Sequence, residues 1–343
     1  MSDKSPKPAA VTMKAVATRA GVSTMSVSNV LNGRNVRPNV REAVLKAVKE
    51  LNFTPNETAR KLRRGKSPVI GILHLAHVHP FFTAMMLGAL MAAVRNGARL
   101  LPQPVVLNDA AGYRAAFRTL NQRGADAVLV GPIIADHMTP EDVAAAGTMP
   151  LLAIAPGVDL SLMGSVRIDE RGAAREITEL LIEKGHRDIG FLRADTGGVR
   201  ESRYAGYRDA LEAHGIALRP ELVLDSRMTF EAGLASAGRM LDFARPPTAI
   251  VGSNDDMAAG ALVAAHSRRL AIPDDIAIAG FDDSDLSVKV WPALTTVRVP
   301  IQEMAERAMD ILIPRSRGDR TQSYAVETFI APHQIIRRAS TGD

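Results

Sequence analysis

Three groups of residues in this chain have types and spacings that could do chemistry. The first is Thr24, Met25, Ser28, Asn29 and Asn32. On a helix they form one mostly uncharged face of short donors and acceptors, able to touch base edges and phosphates. The second group is scattered along the chain: His74, His77, His79, Phe81 and Phe82; Gly131 and Pro132; Asp169; Ala194 and Arg203; Asn254 and Asp255; Asp282 and Asp283. Carboxylates and Asn accept from hydroxyls, and an aromatic face covers the apolar side of a ring. Arg supplies a bidentate fork for hydroxyls or an acid group. The third group is the short basic segment ETARKLRRGKS, Glu57 to Ser67. No Ser-His-Asp set or phosphate-cradling glycine loop stands out, so catalysis has no motif to rest on, and no cofactor is expected. The three histidines form no helical i, i+4 pair and have no clear fourth ligand, so pocket lining or loop solvation is favoured over a metal. GFDDSD lacks the spacing and terminal Glu of a calcium loop.

The first group needs helices to carry it. Apolar Val16, Ala17 and Ala20, then Val27, Val30 and Leu31, have the i, i+3, i+4 spacing of two buried helical stripes. Gly21-Val22-Ser23 separates them: Gly21 suits a left-handed C′ position, and Ser23 an N-cap. Two such helices around a three-residue glycine turn are the helix-turn-helix pattern. A third helix starts at Arg37-Pro38, and its stripe of Val40, Val44, Leu45, Val48 and Leu51 can cover the first two.

The scattered group needs strand ends. After Ser67-Pro68, strands are predicted at Val69–Leu75, Pro104–Asn108, Asp126–Pro132, Pro150–Ala155 and Ser165–Ile168. Helices over Phe81–Val94 and Ala110–Gln122 alternate with them. A second set has helices at Glu170–Lys184, Ser202–His214, Thr229–Phe243 and Asp255–Arg268. Its strands are Asp188–Leu192, Glu221–Leu224, Thr248–Gly252 and Ile276–Phe281. A helix over Pro300–Ile313 and an edge-like strand over Tyr324–Ile330 close the chain. This alternation predicts two α/β lobes with parallel sheets. Ligands bind beyond the carboxyl ends of such strands, which is where the scattered residues fall. Trp291-Pro292 reads as a lobe hinge or packing corner.

The charge is unevenly placed. The chain holds 42 Lys+Arg and 37 Asp+Glu; residues 1–67 hold 14 and 4, a net of +10, leaving 28 and 33, or −5, for the rest. A basic small domain on an acidic body is the footprint of nucleic-acid binding. Cysteine is absent, which excludes disulfides and thiolate sites. The tail MSDKSPKPAA has no apolar run after its lysines, so a secretory signal is not expected. Residues 1–10 are expected to be disordered. No stretch approaches a membrane span, and a cytoplasmic location is expected.

Two blocks carry a family resemblance: A-V-A-x-x-A-G-V-S-x-x-S-V-S-N-V-L-N from Ala15, and K-E-L-N-F-x-P-N-x-x-A-R-K-L-R-x-G from Lys49. They resemble the head of lactose-repressor-type (LacI/GalR) transcription regulators. The likeness continues through SVRIDERGAAREITELLIEKGHRDIGFL, RYAGYRDAL, GSNDDMAAGAL, IPDDIAIAGFDDSDLS and PALTTVRVP, and is weakest over residues 98–165. Ala15 stands where the family usually has Asp, Asn29 where many members have Arg, and Met228 where relatives often have an aromatic ring.

The resemblance implies a small all-α helix-turn-helix head, residues 11–55, and a hinge helix or linker, 56–67. It also implies an α/β body, 68–343, of two parallel-sheet lobes of the periplasmic-binding-protein type. The lobes would be about 68–168 plus about 299–325, and about 169–298 plus about 326–343, with three crossings between them. A homodimer on a palindromic operator would place Thr24, Met25 and Asn29 on base edges, and Thr12, Ser23, Ser28 and Asn32 on phosphates. Leu62, flanked by Ala59 and Arg60, would wedge into the minor groove. Phe81, Phe82, Arg203, Met228, Asn254 and Asp282 would contact a sugar or sugar-acid effector that releases the DNA. The competing classes are a transport-type solute-binding protein, which the basic head opposes, and an α/β enzyme, for which a catalytic motif is missing.

Overall fold

The structure, a computed structural model, describes residues 13–31, 36–51, 67–75, 80–195, 197–318 and 326–343. The chain divides into two compact units, Met1–Ser67 and Pro68–Asp343.

In the first unit, α1 (Met13–Ala20), α2 (Thr24–Leu31) and α3 (Pro38–Glu50) enclose a small core. Val16, Val27, Val30, Val44 and Ala47 are buried in it, with Val22, Val40, Val48 and Leu51 packed around them. The turn after α1 follows from its residues. Gly21 has φ +66°; its N–H donates to the Thr18 carbonyl at 3.3 Å and that of Val22 to the Ala17 carbonyl at 3.1 Å. These two bonds are the Schellman closure, which needs a left-handed residue that only glycine adopts without a Cβ clash. Ser23 then caps α2, its Oγ accepting from the Ser26 N–H at 3.1 Å. Pro38 opens α3, where its missing N–H costs nothing.

The second unit holds two parallel sheets. The first runs β11-β5-β4-β3-β1-β2, built from β1 (Val69–Leu75), β2 (Arg99–Val105), β3 (Ala127–Val130), β4 (Leu151–Ile154), β5 (Gly164–Arg167) and β11 (Thr328–Ile330). Around it lie α4 (Pro80–Asn96), α5 (Ala110–Gln122), the short α6 (Pro140–Ala144) and α12 (Ile301–Arg317). Its central strands β3 and β4 are apolar throughout because both faces are covered. Ile70, Ile72 and Leu129 pack with Met85, Ala89 and Ala305 on one side, and Leu73, Val128 and Val130 with Phe117 and Leu120 on the other.

The second sheet runs β7-β6-β8-β9, from β6 (Ile189–Ala194), β7 (Val223–Ser226), β8 (Ala249–Gly252) and β9 (Ala277–Ala279). Its helices are α7 (Glu170–Glu183), α8 (Gly198–Ala213), α9 (Phe230–Leu241), α10 (Asp255–Ser267) and α11 (Leu286–Lys289). An antiparallel pair, β10 (Thr296–Arg298) with β12 (Gln334–Ile336), accompanies the lobe crossings. The chain passes between lobes after β5, after β10 and after β11. In both sheets the strand order reverses beside the first strand, between β1 and β3 and between β6 and β8. That reversal opens a crevice at the strands' carboxyl ends.

Several expectations are corrected. The second strand is Arg99–Val105, not Pro104–Asn108. Pro102 and Pro104 lie within it because β2 is an edge: Arg99 donates to the Pro68 carbonyl, so the even-numbered prolines turn their missing N–H to the open side. The last strand of the first sheet is shorter than expected, Thr328–Ile330, and it pairs with β5. The first lobe therefore extends to residue 330 and does not stop near 325; Tyr324 lies outside the described residues. The helix expected from Ser202 starts at Gly198. The expected packing corner is not made by Trp291, whose side chain is 83% exposed. The buried residues in that turn are Pro292 and Leu294. No helix among the described residues is long and apolar enough to cross a membrane.

Candidate functional site

The head presents the exposed start of α2. Thr24 and Met25 are exposed, Met25 by 67%, and Asn29 is half-buried. Ser23 is the N-cap, its oxygen accepting from its own helix, and its hydroxyl also lies 3.0 Å from that of Ser26. Arg19 pairs with Glu50 at 2.6 Å and ties α1 to α3. Thr12, Asn32, Ala59, Arg60, Leu62 and the side chain of Ser28 lie outside the described residues.

In the body the two crevices face each other and enclose a cavity of about 220 Å³. The first lobe contributes His74 and Leu75 from the end of β1, Phe81 and Phe82 from the start of α4, Pro132 and Ile133 after β3, and Ala155 after β4. The second contributes Glu170, Val199 and Arg203, with Met228 and Asp282 from loops beyond β7 and β9. Three lining residues hold left-handed backbone: Ile133 at φ +69°, Ala155 at +48° and Asp282 at +108°. Such a conformation costs a non-glycine residue about 1–3 kcal/mol and persists only where the surroundings impose it. Here it turns each strand's exit into the cleft.

The polar end of the cleft is built on Arg203, which is 4% exposed. Its Nε donates to Glu170 Oε2 at 2.7 Å, and Nη1 donates to the Ser253 carbonyl. Nη2 lies 3.7 Å from Asp282 Oδ1. The guanidinium sits over the Phe281 ring at 3.6 Å, a cation–π contact. Burial acts to lower its pKa, but Glu170, Asp282 and Asp255 together outweigh that and raise it. On the other wall, the His74 ring meets Phe82 at 4.7 Å between centroids.

Near the cleft the two lobes also meet through side chain–backbone bonds. Asp136 of the first lobe accepts from Gly157 N–H at 3.0 Å and, across the lobes, from Gly198 N–H at 2.8 Å. Ser202 Oγ donates to the Gly157 carbonyl at 2.6 Å. A Cβ on Gly157 would lie 2.0 Å from Val199 N, so this approach requires glycine there. Burial pushes the Asp136 carboxyl above its ordinary pKa.

Of the six expected effector contacts, Phe81, Phe82, Arg203, Met228 and Asp282 line one cavity. Asn254 does not line it. It is fully buried and caps α10, its Oδ1 accepting from Met257 N–H at 2.9 Å and its amide donating to the Met228 carbonyl at 3.3 Å. Asp169 is likewise a cap, for α7. Asp255 is buried, accepting from Thr296 Oγ1 at 2.6 Å and Ser284 N–H at 2.7 Å; burial pushes its pKa up to about 6. Asp283 is clamped by Arg298 at 2.7 Å and Arg338 at 2.6 Å. Glu170 was missed. Assigning Asp169 as the N-cap leaves Glu170 as the next free carboxylate, and that is the signal that could have found it. His77 and His79 lie outside the described residues.

A helix-turn-helix head in one chain with a two-lobed body of the periplasmic-binding-protein kind defines a class: DNA-binding regulators that carry a small-molecule sensor. Residues 12–56 match the family described as bacterial regulatory proteins, lacI family, and residues 178–341 the periplasmic binding protein-like domain. The chain is 32% identical over 311 residues to the ribose operon repressor of Haemophilus influenzae, covering 90% of this chain and 92% of that protein. It is 31% identical over 306 residues to the transcriptional regulator AscG of Escherichia coli, covering 88% and 91%. Its fold matches the solved complex of the regulator CelR with cellobiose at a TM-score of 0.72 and 27% identity, covering 96% of this chain and 99% of that one. The protein belongs to the LacI family of bacterial regulators.

Proposed function

We propose that the protein is a cytoplasmic repressor of carbohydrate-utilisation genes and not an enzyme. It binds a palindromic operator as a homodimer and releases it when a small hydroxyl-rich effector closes the body's lobes. The observation that carries this reading is the cleft itself. It lies between two lobes that Asp136 and Ser202 bridge, is walled by Phe81 and Phe82, and is ended by Arg203 and Asp282. Such a site binds a compact ligand and couples its binding to lobe closure. Relatives named for a ribose operon and solved with cellobiose support a carbohydrate. Thr24, Met25 and Asn29 read base edges, while Ser23 and Ser28 position the head on phosphates. Thr12, Asn32 and the segment around Leu62 complete that interface.

The test is a gel shift with the DNA upstream of the protein's own gene. With ~6–10 phosphate contacts per dimer, affinity should fall about 10³–10⁵-fold between roughly 50 and 200 mM salt. Effector affinity measured with and without saturating operator should differ by ~5–150-fold, the weaker value on DNA. A flat salt response would remove the DNA-binding role. Equal effector affinity in both states would mean that the body is not a switch.

A further inference from the structure

The cleft is electrically one-sided. Among the described residues lining it, Arg203 is the one guanidinium or ammonium group, while Glu170 and Asp282 are both carboxylates. Arg203 is also occupied. Glu170 holds Nε at 2.7 Å, Ser253 takes Nη1, Asp282 stands 3.7 Å from Nη2 and Phe281 covers a face at 3.6 Å. A ligand carboxylate seeking this fork must compete with one already in place. Beside the cleft, Asp136 is a further carboxylate, its pKa raised by burial and then by the nearby Glu170 charge. Each lining carboxylate has a second oxygen, and a carboxylate oxygen binds hydroxyl or amino donors in charge-assisted bonds. Apart from the His74 imidazole, the rest of the wall, including Leu75, Phe82, Ile133, Val199 and Met228, is apolar. In such low-dielectric surroundings an unmatched charge is heavily penalised.

We propose that Glu170 is a specificity-determining residue that makes the cleft exclude anions. The effector is an uncharged or amine-bearing compound, with hydroxyl or amino donors at one end and a flat or apolar body at the other. Sugar acids and sugar phosphates are rejected. This narrows, and rests on, the reading of the cleft as the effector site.

The experiment uses the full-length protein and charge-matched sets in thermal shift and calorimetry. One set is D-glucose, D-glucosamine, phenyl β-D-glucoside, D-gluconate and D-glucose 6-phosphate; the other is D-ribose, adenosine, D-ribonate and D-ribose 5-phosphate. Binding is expected only from uncharged or amine members, strongest where a flat group is attached. Each acid or phosphate should be about a hundredfold or more weaker than its uncharged counterpart. Glu170→Gln keeps the shape and an acceptor for Arg203 and should narrow that gap by at least about tenfold. An acid or phosphate binding as well as its uncharged counterpart overturns the proposal while leaving the cleft an effector site. So does a gap unchanged in Glu170→Gln. The wild-type ranking decides alone if that variant does not fold. No binding by any member overturns the reading of the cleft, and the proposal falls with it.

Discussion

Replacing Arg203 with Ala should weaken the fold before it reports on the ligand. Glu170, 3% exposed, would keep its charge and lose its partner, and breaking a buried pair on one side costs about 3–5 kcal/mol. Urea denaturation should show that loss. A change below about 1 kcal/mol, the range of an exposed pair, would mean that the site is wetter than its geometry indicates. Asp282→Asn is the gentler probe, because it removes charge from the cleft and leaves the Arg203–Glu170 bond in place. Asp255 carries the sharpest pH prediction. Its carboxyl is raised by burial to about 6, so the folded state holds its proton more tightly than the unfolded chain does. The stabilisation is therefore complete below the ordinary carboxylate range and is lost as pH rises through about 6. Asp255→Asn mimics the protonated form. The stability difference between wild type and variant should move by on the order of 2–3 kcal/mol between about pH 4 and pH 7, in the variant's favour at the higher pH. A constant difference would show that Asp255 does not titrate there.

At the scale of elements, the start of α8 is the informative one. Gly197 opens it with no side-chain cap, and Asp136 supplies the missing acceptor from the other lobe. The helix terminus is completed only when the lobes meet. Gly157→Ala tests that dependence. Its Cβ would fall 2.0 Å from Val199 N and 2.3 Å from the Gly198 carbonyl carbon, and backbone cannot swing away as a side chain can. The lobes should stay apart, giving a larger radius of gyration in X-ray scattering and faster amide exchange at Gly198. Unchanged scattering and exchange would place this contact outside the closing motion. Asp283 belongs to the same scale. It follows the lining residue Asp282 and is held by Arg298 and Arg338 beside the lobe crossings. A shift at the ligand is thus one residue from the segments about which the lobes turn.

At the scale of the whole molecule, one face of α4 presents an exposed apolar stripe among the described residues. Leu87, Leu90, Met91 and Val94 are 49%, 51%, 45% and 73% exposed, and their i, i+3, i+4, i+7 spacing places them on one stripe. An exposed apolar stripe of that kind marks an association surface. A second copy of the chain suits the proposed dimer. Val94→Asp would put a charge at its most exposed point and should yield monomers in light scattering, with operator affinity falling because one head reads only a half-site. A dimer of unchanged stability would move the interface elsewhere.

The helices and strands of this protein were legible because local rules governed them. Gly21 and Ser23 make the turn that their types predict, and Ala110–Gln122 has its expected bounds. The apolar runs became parallel strands because both of their faces are covered. The cleft's position was legible too, since ligands collect at the carboxyl ends of such strands. Five of its lining residues followed from that rule and the family likeness. Three things were decided only by the tertiary structure, each because its cause lies far off in the chain. Asn254 and Asp169 read as ligand groups until the helices they cap take their oxygens. Arg203 reads as a fork for an acid until Glu170, 33 residues away, and the Ser253 carbonyl take up two of its donors. The strand at 328–330 reads as part of the last lobe until β5 pairs with it. Spacing along a chain sets which face a residue takes on its own helix or strand. Only packing sets which charge, carbonyl or neighbouring strand meets it there.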